Sequence, residues 1–105
     1  MQNIKLKYMY RDYANYKNHG EAIFTNPDSL SIELIEATMR ANLMDGEWFY
    51  ASRWGVKDLH FDKYDDENDH PYHEFIAVRL TAETATEAQN ITDLVKRIIH
   101  GDNSW

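Results

Sequence analysis

No cysteine occurs among the 105 residues, which excludes disulfide stapling, thiolate nucleophiles and cysteine-ligated zinc together. Glycine is nearly as scarce. Gly20, Gly46, Gly55 and Gly101 stand far apart, so neither a phosphate-cradling loop nor a dinucleotide fingerprint can be assembled. No G-x-S-x-G elbow is present, and Ser29, Ser31, Ser52 and Ser104 lie in cap, turn or tail contexts, which disfavours acyl transfer. No stretch approaches eighteen consecutive apolar residues, and MQNIKLKYMY lacks the charged, apolar and small-residue succession of an export signal. A cytoplasmic protein with no membrane partner and no cofactor is therefore expected. Basic charge is also short, with 11 Lys and Arg against 18 Asp and Glu, for a net charge of -7. That balance opposes broad attraction to nucleic acid or anionic lipid.

What is present suits one folded domain. Apolar residues make up 43% and aromatics 13%, enough to build a single core in a chain of this length. Ile4, Leu6, Tyr8 and Tyr10 alternate with Lys5, Lys7 and Met9, the period-two pattern of a half-buried strand. After the polar link RDYANYKNHG, residues 21–25 read as a second strand, giving a hairpin with a long connection. Asn26-Pro27-Asp28-Ser29 is a turn. Ile32, Ile35, Met39 and Leu43 then recur at helical spacing, which places a helix over 29–44, capped by Ser29 or Ser31 and ended by Asp45-Gly46. Gly55 suggests a turn or the end of a short helical piece. Leu59 and Phe61 are expected to begin a third strand, and residues 72–80 read as an interior strand. Thr81 to Thr86 offer caps for a last helix traced by Ala88, Ile91, Leu94 or Val95 and Ile98 toward Gly101. The expectation is an α+β domain over residues 1–101, β-β-α-(β)-β-α, with a small antiparallel sheet of three or four strands and two helices on one face. Residues 102–105 form a tail.

The chemistry-bearing residues gather between Asp58 and Glu74, in DLHFDKYDDENDHPYHE. Seven carboxylates here flank His60, His70 and His73. As a run of charge it reads first as a solvated loop. A metal site is the sharper reading, with His70, His73, Asp69 and Glu74 as the ligand set and a metal-dependent hydrolase as the activity it would allow. In extended chain, however, His70 and His73 project to opposite sides. The N-terminal arm offers another alternative: Lys5, Lys7, Arg11 and Lys17 interleave with Tyr8 and Tyr10, the cations and rings a single-stranded nucleic acid would need. The overall charge disfavours it.

The blocks NYKNHGEAIFTNP, GEWFYASRWG and DLHFDKYDDENDHPYHEF resemble a group of small uncharacterised bacterial proteins with no known activity. The resemblance implies a bacterial cytosolic context and assigns no residue a role. The function expected from the residues is a non-enzymatic protein-interaction domain. Its contact surface combines Trp48, Phe49, Tyr50 and Trp54 with the acidic residues Asp62, Asp65, Asp66, Glu67 and Asp69. The partner is either another protein or a second copy of the chain. At least two of those four aromatic side chains are expected to serve the core instead.

Overall fold

The computed structural model describes residues 2–60 and 70–100. Strands β1 (Asn3–Arg11), β2 (Lys17–Phe24), β3 (Trp48–Phe49) and β4 (His73–Thr81) form one antiparallel sheet in the order β2-β1-β4-β3. Helices α1 (Ile32–Ala41), α2 (Ala51–Trp54) and α3 (Ile91–His100) complete an α+β fold. The alternation of β1 decides which face is inner. Ile4, Leu6, Tyr8 and Tyr10 are buried, and Ile35 and Met39 of α1 join Ile91, Leu94, Val95 and Ile98 of α3 in the same core. The opposite face carries Lys5 paired with Glu21 and Glu83, and Arg11 paired with Glu74.

The hairpin connection is shorter than its polar sequence implies. β2 begins at Lys17, so only residues 12–16 turn. Asp12 accepts the Tyr16 backbone N–H at 2.9 Å, and Asn15 takes a left-handed φ of 69°. The sequence KNHG is strand because its inner positions face large rings: Asn18 pairs with Tyr10 and Gly20 with Tyr8. Glycine suits that position because an added Cβ would stand 2.8 Å from Leu59 Cδ1.

Helix α1 is capped by Ser31, whose Oγ accepts from the Leu34 N–H at 3.1 Å. Ser29, with φ 52°, belongs instead to a turn in which Asn26 exchanges two hydrogen bonds with Leu30. The helix stops at Ala41 with Asn42 as its C-cap, before the expected limit. Asp45 and Gly46, both at positive φ, lie in a three-residue connection, Asp45 to Glu47, between the bridged Met44 and Trp48, with the Glu47 N–H donating to the Met44 carbonyl. Asp-Gly supplies the left-handed φ values that such a tight hairpin connection needs, and the turn delivers β3. The third strand in chain order among the described residues is thus Trp48–Phe49; Leu59, expected to begin one, lies in the irregular stretch 56–60, and Phe61 lies outside the described residues. Gly55 at φ 70° ends α2, as its position suggested.

In β4 the register against β1 shifts between Lys7 and Tyr8, so that Lys7 faces Ala77 but Tyr8 faces Phe75. Ile76 is the extra residue, and this bulge lets Phe75 and Val78, three apart, both turn inward. The final helix starts later than its apolar pattern suggests. Asn90 Oδ1 accepts the Asp93 N–H at 2.8 Å, whereas the Thr86 hydroxyl accepts the Ile23 N–H on the outer edge of β2.

Candidate functional site

Residues 56–60 cross the inner face of the sheet at its Tyr8–Tyr10 end without joining a ladder, so side chains satisfy the backbone of this strap. The Tyr8 hydroxyl donates to the Lys57 carbonyl at 2.8 Å and Asn18 Nδ2 to the Leu59 carbonyl at 3.0 Å. The Leu59 N–H donates to His73 Nε2 at 2.9 Å, and Asp58 Oδ1 accepts the His60 N–H at 2.8 Å. Burial pushes the Tyr8 phenol up to about 12, with smaller contributions from the Glu87 and Asp58 charges, so it remains a donor.

His73 is 1% exposed. Because Nε2 accepts from Leu59, the proton of the neutral ring is on Nδ1, which has no partner in hydrogen-bond geometry among the described residues. Burial pulls its pKa down to about 4. The His60 and His70 rings add to that shift, while the Asp58 carboxylate and the Pro71 carbonyl oppose it. Asp58 reaches both histidines: Oδ2 lies 2.9 Å from His60 Nδ1 and Oδ1 lies 3.5 Å from His73 Nε2. One ligand atom from each of Asp58, His60 and His73 falls within 4.8 Å of the others. The Tyr10 ring packs against His60, His70 and His73 at 4.3, 5.4 and 5.2 Å, and its hydroxyl donates to the His70 carbonyl.

The ligand set expected from sequence is only partly brought together. His73 points inward, whereas Glu74, its neighbour in the strand, projects to the other face and accepts from Arg11 Nε at 2.9 Å. His70 Nδ1 accepts the Tyr72 N–H at 3.2 Å, and Asp69 lies outside the described residues. Asp58 and His60 take the vacant roles. Their i, i+2 spacing was the available signal, because in extended chain it sends both side chains to one side.

The aromatic cluster divides in two. Phe49 and Trp54 are buried and stack at 4.1 Å. Trp48 and Tyr50 are half-buried and converge on Tyr72, at 6.2 and 5.1 Å, and the His70 ring stacks on Tyr72 at 5.5 Å. The result is a ridge of four rings. Asp62, Asp65, Asp66 and Glu67, like Asp69, are outside the described residues. In the N-terminal arm the rings of Tyr8 and Tyr10 are core side chains, closed to stacking with a base, and Lys5, Lys7 and Arg11 face Glu21, Glu83 or Glu74. Lys17 is exposed.

No protein-family model, no curated protein and no solved structure matches the chain. Among the described residues no helix is long and apolar enough to cross a membrane.

Proposed function

We propose that this chain is a protein-interaction domain that docks a basic segment of another protein. The contact surface is the Trp48–Tyr72–Tyr50 ridge together with the acidic residues Asp62, Asp65, Asp66, Glu67 and Asp69. The observation that carries the reading is the ridge itself. Its rings stay half-exposed while Phe49 and Trp54 fill the core beneath them, and half-exposed aromatic anchors are the side chains that interfaces favour. Complementary charge supplies the second element: the acidic stretch 62–69 immediately precedes His70 in the sequence and would favour lysine- and arginine-rich partners over acidic ones.

The test compares partners recovered on the parent protein with those on Trp48→Ala and on Asp65→Lys/Asp66→Lys/Asp69→Lys, with sedimentation to detect self-association. Both variants should lose the same basic partner while remaining folded by circular dichroism, Trp48→Ala at some cost in stability because its ring is half-buried against Tyr72. An unchanged partner set, or a second copy of the chain as the sole occupant, would overturn the reading.

A further inference from the structure

We infer that Asp58, His60 and His73 form a binding site for a divalent transition metal of the zinc class. Two imidazoles and one carboxylate suit zinc, cobalt or iron, and fit calcium or magnesium poorly. The spacing is close to that of a zinc site. Ligand atoms about 2.0–2.1 Å from a tetrahedral zinc lie about 3.3 Å from each other; here the Asp58 carboxylate meets His60 Nδ1 through Oδ2 at 2.9 Å and His73 Nε2 through Oδ1 at 3.5 Å. All three ligand atoms fall within 4.8 Å, so a modest contraction closes the set.

A second observation points the same way. His73 Nε2 carries a lone pair and faces the Asp58 carboxylate, so two acceptors stand 3.5 Å apart beside a fully buried ring. Each already accepts one backbone hydrogen bond, from the Leu59 and His60 N–H groups, and a cation between them would relieve the contact between two lone-pair atoms. Zinc would replace the Leu59 N–H at Nε2 and take the Nδ1 lone pair of His60, leaving that ring's proton on Nε2. The Asp58 side chain is 59% exposed, so the metal has an entry path and a coordination position open to water. His60 and His73 bracket residues 61–72, so an occupied site would tie together the two ends of the acidic segment.

The test is zinc titration of chelator-stripped full-length protein by calorimetry, with cobalt absorption as a spectroscopic check of four-coordinate geometry. One equivalent should bind with Kd tighter than about 10 μM, and thermal stability should rise with zinc concentration. His60→Ala and Asp58→Asn, each confirmed folded by circular dichroism, should weaken binding at least tenfold. His19→Ala, on an exposed ring outside the cluster, should not. Absence of stoichiometric binding, or equal binding by the parent and His60→Ala, would overturn the inference and leave the cluster a hydrogen-bonded brace. Because this readout needs no partner protein, its failure is distinguishable from failure of the docking reading.

Discussion

The two ends of the sheet's inner face are covered in different ways. Around Ile4, Leu6, Ala22 and Phe24 the cover includes α1 and α3, whose inward side chains Ile35, Met39, Ile91 and Leu94 are apolar. Around Tyr8, Tyr10, Asn18 and His73 it is the irregular strap 56–60, held by the Tyr8 hydroxyl, the Asn18 amide and the His73 imidazole. The physical reason is backbone satisfaction. A helix bonds its own peptide groups and needs only apolar contact from the sheet, whereas a strap brings unpaired N–H and C=O groups that the sheet must meet with polar side chains. Titratable groups therefore collect at one end, and with them the candidate chemistry.

The helix-covered end should lose most from a single truncation. Leu94 is completely buried, and Leu94→Ala should cost about 3 kcal/mol of unfolding free energy in urea, through lost burial and an unfilled cavity. The loss should be the same at pH 7 and pH 5. A cost below about 1 kcal/mol would mean that this end repacks freely.

The strap end should instead respond to acid. His73 titrates near its ordinary 6.5 in the unfolded chain and near 4 in the folded one. Between those values the unfolded state binds the additional proton, so the contribution is complete above pH 6.5 and is lost as pH falls toward 4. The linkage amounts to roughly 3 kcal/mol across that window. Urea midpoints of metal-free protein measured over the window should fall steeply for the parent and less steeply for His73→Leu. Equal slopes would remove His73 as the source of acid sensitivity.

The smallest effect falls where the strap meets β2. Gly20→Ala puts a methyl against Leu59 and should cost about 1 kcal/mol by overpacking. Leu59→Val in the same molecule should recover part of that loss in a double-mutant cycle. Strict additivity would show that the strap does not bear on Gly20.

Several elements were legible locally. The alternation of β1, the spacing of Ile32, Ile35 and Met39, and Gly55 after α2 each carry a short-range signal, and each element formed where that signal lies. Boundaries failed where two readings shared one motif. Asp45-Gly46 reads equally as a helix stop or a hairpin turn, and the bridge between Met44 and Trp48 selects the turn. KNHG is polar in composition, yet it is strand because Tyr8 and Tyr10 cover its inner positions. The metal set read from adjacency in sequence included Glu74, which strand geometry sends to the opposite face from His73. The same polar stretch hid Asp58 and His60, which become neighbours of His73 only when the strap folds over the sheet.

By itself, then, the sequence determined the α+β class, the inner face of β1, the first helix and the strong local excess of carboxylates, because each rests on periodicity or composition within a few residues. The tertiary structure alone decided that Asp58, His60 and His73 converge, that Phe49 and Trp54 are buried beneath Trp48 and Tyr50, and that residues 56–60 are a strap and not a strand. Those outcomes depend on contacts between segments distant in the chain, where the need to satisfy buried backbone groups outweighs local preference.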